Sequence, residues 1–199
     1  MGDKLVSSAG EVSTAEALKG KVVALYFSAH WCPPCRGFTP KLGGIYKGLV
    51  AAGKAFEIVF VSSDRDESAW SEYFGEMPWL ALPFGERDLK NKLSKKYKVS
   101  GIPSLVIVDE EANTITTDGR AAVTEDPEGK TFPWKPPTVF EVLGEEVITA
   151  EGDALEVSEL QQENDVLALY FSAHWCPPCK GFTPKLSETY EKVVAAGKK

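Results

Sequence analysis

Apolar residues along the chain follow two periods. Val22 to Phe27, Ile58 to Val61 and Leu105 to Val108 are unbroken apolar runs. Runs this short and continuous predict strands buried on both faces of a sheet. Between the first two, Phe38, Leu42, Ile45, Tyr46, Leu49 and Val50 recur at helical spacing, predicting an amphipathic helix that begins at Pro33 and ends at Gly53. Pro33 and Pro34 suit a first helical turn, where a missing N–H costs nothing. Pro40 lies inside the helix and should kink it, because it donates no hydrogen bond and crowds the carbonyl of Arg36. Strand, helix and strand within about 40 residues predict a right-handed βαβ unit with parallel strands. Ser68–Phe74 and Arg87–Tyr97 read as further helices, and Asn113–Thr117 as a short outer strand. Asp126–Pro137, with four prolines and a glycine, reads as a linker or tail.

The pattern then starts again. Residues 24–42 recur at 168–186, an offset of 144, with Arg36 against Lys180 as the one difference. Both copies later read Ala-Ala-Gly-Lys, ending at Lys54 and Lys198. A period this long predicts tandem domains rather than a solenoid. Val139–Asp165 should repeat the opening of the fold, and Val166–Phe171 its first buried strand. The first copy runs on far past Lys54, whereas one residue follows Lys198. The expectation is a complete domain over 1–138 and the front half of a second over 139–199, with weaker chemistry at the second.

Composition narrows the function. At 43% hydrophobic and 26% charged, the 199-residue chain can bury a core. A net charge of −7, with basic pairs at Lys95–Lys96 and Lys198–Lys199 only, argues against a nucleic-acid partner. No apolar run approaches the roughly 18 residues of a membrane span. Residues 1–6 lack a secretory or myristoylation pattern. The expected setting is intracellular.

The chemistry lies in the four cysteines, Cys32–Cys35 and Cys176–Cys179, each pair inside Trp-Cys-Pro-Pro-Cys. A zinc site built from two Cys-x-x-Cys pairs wants them about 15–20 residues apart, and Pro33-Pro34 stiffens the knuckle such a site needs. A purely structural disulfide closing so short a loop would remove only about 2 kcal/mol of unfolded-chain entropy. A redox dithiol at the start of a helix needs this spacing, and that is the reading adopted.

The order of elements, with Gly101-Ile102-Pro103-Ser104 before the last buried strand, resembles the thioredoxin fold: α/β, a mixed central sheet flanked by helices. Tyr26–Ala29, Trp31–Cys35, Arg36–Pro40, Met77–Leu80, Asp126–Gly129 and Phe132–Trp134 resemble the tryparedoxin and nucleoredoxin branch. The resemblance implies a partly exposed Trp31 bordering the substrate groove, where an ordinary core tryptophan would otherwise be read. It also implies a cis Ile102–Pro103 bond against the dithiol, leaving Ile102 to pair with an extended substrate. With Trp31, Pro33, Pro34, Arg36, Ile102 and Pro103 as the substrate surface, Cys32 and Cys35 form the catalytic pair, and Cys176 and Cys179 a second one.

Cys32 sits where helix N–H groups and the macrodipole stabilise a thiolate, so it is the expected nucleophile, with Cys35, one turn in and more buried, resolving the mixed disulfide. Many thioredoxins carry a buried Asp six residues before the first cysteine; here that position is Tyr26, a poor base at neutral pH. Proton handling falls to water or another group. His30 is one candidate and a solvated loop histidine the other reading. Arg36 either helps hold an anionic thiol or is a solvated helix-face residue.

The implied activity is reduction of protein disulfides, with no metal and no bound organic cofactor. Glutathione, trypanothione or a thioredoxin reductase system would be the upstream reductant, and the location cytoplasmic, with the nucleus as a second site. A redox-sensitive partner-binding regulator is the alternative. A thiol peroxidase fits less well, since that chemistry usually relies on Thr-x-x-Cys.

Overall fold

The computed structural model describes residues 2–163 and 166–197. Asp165, the end of the repeated opening, and the Lys198–Lys199 pair lie outside the described residues. The chain divides into two compact units, Met1–Pro136 and Pro137–Lys199.

The first unit runs β1 (Lys4–Ser7), β2 (Gly10–Ser13), α1 (Thr14–Leu18), β3 (Val22–Ser28), α2 (Pro33–Ala51), β4 (Phe56–Ser62), α3 (Glu67–Phe74), β5 (Leu80–Ala81), α4 (Arg87–Lys96), β6 (Ser104–Val108), β7 (Thr114–Thr116) and α5 (Gly119–Glu125). One mixed sheet has the order β2-β1-β5-β4-β3-β6-β7. At its centre β3 pairs in parallel with β4, from Val22 opposite Phe56 to Ser28 opposite Ser62, and antiparallel with β6. The predicted βαβ unit is therefore present.

Alternation along β3 explains why its run is unbroken. Ala24 and Tyr26 enter one core with Phe38 and Leu42 of α2 and Tyr73 of α3. Val23, Leu25 and Phe27 enter another with Leu93 of α4 and the following Tyr97. Successive strand residues point to opposite faces, and here both faces are covered. α2 buries Phe38, Leu42 and Leu49, but Val50, apolar by spacing, is 47% exposed in the last turn. The helix closes with Gly53 at φ +72, Gly53 N–H on the Val50 carbonyl and Lys54 N–H on that of Leu49. These are the paired bonds of a Schellman cap, which favours glycine at that position.

Asp126–Pro137 is not a loose linker. The Asp126 carboxylate accepts from Lys130 N–H, Thr131 N–H and the Thr131 hydroxyl at 2.7–2.8 Å. The closed loop delivers Phe132 and Trp134 edge-on to Phe56, with centroids 6.0 and 5.5 Å apart, and Trp134 is buried. Its prolines and acid shape a turn, and its two aromatic rings belong to the core.

The second unit contains α6 (Val139–Leu143), β8 (Glu146–Ile148), β9 (Ala154–Glu156), α7 (Val157–Glu163) and α8 (Pro177–Ala195). The β8–β9 hairpin followed by α7 repeats the β1–β2 hairpin followed by α1. The strand expected at Val166–Phe171 is absent: these residues form no strand, and Val166 and Phe171 are 76% and 87% exposed. β3 is a strand because β4 and β6 take its backbone groups. Among the described residues of the second unit the strands are β8 and β9, which pair with each other.

Candidate active site

Cys32 caps α2 in extended conformation, and Pro33-Pro34 occupy its first two positions. The loop ahead of it is tied down from β4. Ser63 N–H bonds to Ser28 C=O, and the Trp31 indole N–H donates to Ser63 C=O at 3.1 Å. His30 N–H donates to the buried Asp64 carboxylate at 2.8 Å, whose other oxygen accepts from the Ser62 hydroxyl. The Arg87 guanidinium donates to Ser62 C=O; its partial burial disfavours the charge, and Asp64 nearby opposes that effect.

Cys32 and Cys35 are joined in a disulfide with Cα atoms 5.2 Å apart. Cys35 is 0% exposed and Cys32 5%, so the outer edge of the pair is Cys32. The Ile102–Pro103 bond is cis, and the Ile102 carbonyl oxygen lies 3.9 Å from Cys32 Sγ. With both sulfurs in the disulfide there is no S–H to donate, so this is a van der Waals approach. Ile102 packs against the dithiol and Pro103 is buried. Trp31 is 56% exposed, and Pro33, Pro34 and Arg36 are exposed beside it. All the residues singled out around the first dithiol thus gather on one edge of the unit.

Several neighbours were not singled out from the sequence. Arg120 of α5 donates to Pro103 C=O at 3.2 Å and lies over the Phe38 ring. His30 is not simply solvated: its ring stacks on Tyr73, centroids 5.4 Å apart. Tyr26, in the place of the buried acid, is hydrogen-bonded to the Thr39 hydroxyl. Burial drives its phenol well above the ordinary range, so it stays protonated.

The second dithiol is also a disulfide, Cα atoms 5.3 Å apart, with Cys176 Sγ accepting from Cys179 N–H at 3.3 Å. Its surroundings differ: both cysteines are half-buried and Trp175 is 84% exposed. Among the described residues no group of three or more His, Cys, Asp and Glu side chains could hold a metal ion. Among them, too, no helix is long and apolar enough to cross a membrane.

A pair of buried sulfurs at a helix N-terminus, the outer one beside the Ile102 carbonyl, fits thiol–disulfide exchange. A sequence model of the thioredoxin-like family matches residues 20–114 and again residues 164–199. The chain belongs to the thioredoxin-like family. It is 49% identical to tryparedoxin from Trypanosoma brucei brucei over 131 residues, 65% of this chain and 90% of that protein. It is 39% identical to nucleoredoxin from Xenopus laevis over 204 residues, covering all of this chain and 48% of that protein. The chain therefore spans about half the length of that nucleoredoxin. A solved structure of tryparedoxin II complexed with glutathionylspermidine has a TM-score of 0.65 and 41% identity, over 68% of this chain and 94% of its own.

Proposed function

We propose that the chain is a thiol–disulfide oxidoreductase that reduces disulfides in proteins. The carrying observation is the placing of the first pair, with Cys32 at the N-cap of α2 beside the Ile102 carbonyl and Cys35 one turn in and enclosed. In the reduced state the Cys32 thiolate attacks a substrate disulfide, and one substrate sulfur leaves and takes up a proton. Cys35 loses its proton to solvent and attacks the mixed disulfide. The second substrate thiol departs, and the Cys32–Cys35 disulfide retains the oxidation. Two electrons pass to the substrate for each disulfide cleaved.

Trp31, Pro33, Pro34 and Arg36 border the attacking sulfur, and Ile102–Pro103 offers backbone beside it for an extended substrate. Reduction of the pair falls to a glutathione-type thiol, trypanothione or a thioredoxin reductase. The glutathionylspermidine held by the related tryparedoxin II supports the first class. Such thiols are kept reduced in the cytoplasm and nucleus, where the protein would work.

The second reading, which the resemblance to nucleoredoxins permits, is a regulator that holds a partner and releases it on oxidation. Insulin reduction with the protein at catalytic concentration separates the two. Many turnovers per molecule support the enzyme. A single stoichiometric oxidation without turnover overturns it in favour of the regulator.

A further inference from the structure

Within the first unit four buried hydroxyls bond to one another, and the exchange chemistry above does not use them. Tyr26 Oη is 2.8 Å from Thr39 Oγ1, and Tyr73 Oη bonds to the same Oγ1 from the other side. Ser28 Oγ is 3.1 Å from Tyr73 Oη. All four side chains are 2% exposed or less. Four hydroxyls joined by three mutual bonds carry one proton more than those bonds consume. The surplus needs an acceptor with no hydrogen of its own, and the Cys35 carbonyl is that acceptor. Thr39 Oγ1 reaches it at 3.1 Å and Tyr26 Oη at 3.4 Å.

Thr39 donates to Cys35 C=O at 3.1 Å, and Tyr73, with Ser28 behind it, holds the Thr39 hydroxyl in place. Pro40 has no N–H to offer the Arg36 carbonyl, so the turn that carries Cys35 is one backbone bond short. The second unit repeats the local part: Thr183 donates to Cys179 C=O at 2.9 Å, and Tyr170 Oη lies 3.0 Å from Thr183 Oγ1.

We infer that Thr39, backed by Tyr73, is a positioning residue for the resolving step: it holds the Cys35 peptide so that the Cys35 sulfur stays aligned on Cys32 after the disulfide opens. The inference rests on the exchange function proposed above. Attack by Cys32 does not depend on this alignment, since the substrate sulfur arrives from outside. Resolution does, because both sulfurs are then carried by one helical turn and small misplacements are costly.

An aryl disulfide, dithiobis(nitrobenzoate), separates the steps. With one equivalent added to the reduced full chain carrying Cys176→Ser and Cys179→Ser, attack by Cys32 releases one coloured aryl thiol. Attack by Cys35 on the mixed disulfide releases the second. Thr39→Val should slow the second release about tenfold while leaving the first within about twofold. Thr39→Ser should restore it, and Tyr73→Phe, which removes one oxygen, should slow the second release about threefold. An unchanged ratio of the two rates in Thr39→Val and Tyr73→Phe, or failure of Thr39→Ser to rescue, overturns the assignment. If Thr39→Val does not fold, Tyr73→Phe decides alone. A chain with native Thr39 that releases only one aryl thiol overturns the exchange function itself, and the inference with it.

Discussion

The carbonyl oxygen of Ile102 stands 3.9 Å from the sulfur of Cys32, seventy residues earlier in the chain. Cys35 is fully enclosed, so under the proposed function a substrate disulfide meets Cys32 first. Cys35→Ser should therefore accumulate mixed disulfides with substrate proteins, because attack proceeds and resolution cannot. Cys32→Ser should accumulate at most about a tenth as much. Non-reducing electrophoresis with mass spectrometry reads the difference, and equal trapping by both variants would reverse the roles.

Trp134 extends the core across what composition suggests is a linker. Its ring packs edge-on against Phe56 and Phe132. Trp134→Ala should cost the first unit about 3–5 kcal/mol, the usual penalty for emptying a large aromatic site. Urea unfolding followed by far-ultraviolet circular dichroism measures it; a loss under about 1 kcal/mol would return the segment to linker status.

Asp126 supplies a pH dependence. Its carboxylate is lowered from 3.8 to about 2, chiefly by the Thr131 N–H, with the Thr131 hydroxyl and Lys130 N–H adding to it. A depressed carboxylate stabilises the fold fully above its unfolded value, and that contribution fades as pH falls from about 4 to about 2. Asp126→Asn should melt below wild type at pH near 7 and converge with it toward pH near 2. Thermal denaturation at several pH values tests this, and a constant gap between the two proteins would contradict it.

The two dithiols should not work equally. Turnover of Cys32→Ser/Cys35→Ser is expected below about a tenth of that of Cys176→Ser/Cys179→Ser. The reason is surroundings: the segment before Cys176 forms no strand, and Trp175 stands 84% exposed. Insulin reduction by the two variants decides, and retention of half the wild-type rate by the first would show the second pair competent.

What was legible in the sequence follows from how local each feature is. Val22–Phe27, Ile58–Val61 and Leu105–Val108 announce themselves because two-sided burial leaves no polar position. The α2 helix does so through its spacing and its prolines. β1 and β2 escape notice because each has four residues and β2 is mostly exposed, and β5 because it has two residues. The α5 helix begins at Gly119, where an added Cβ would come within 2.6 Å of the Leu105 carbonyl, and no periodicity announces so close an approach. Val166–Phe171 misleads for the opposite reason: a strand-forming sequence is a strand only where neighbours pair with it. At the site, the dithiol and Ile102–Pro103 are readable as motifs. Asp64, Tyr73 and Arg120 are not, because the sheet order and the helices beside it bring them to Cys32–Cys35 from distant parts of the chain.

Tyr26 and Tyr170 occupy equivalent places in two near-identical stretches and make the same bonds, to a threonine hydroxyl and a cysteine carbonyl. Burial raises the pKa of the first, while hydrogen bonds with Ser172 and Thr183 lower that of the second. One polypeptide thus carries its own internal standard. In an alkaline absorbance titration of a chain carrying Tyr46→Phe, Tyr97→Phe and Tyr190→Phe, Tyr170 should form phenolate well before Tyr26, which stays protonated while the first unit holds it buried. The gap between the two steps becomes an optical gauge of how firmly the first unit is closed around its dithiol.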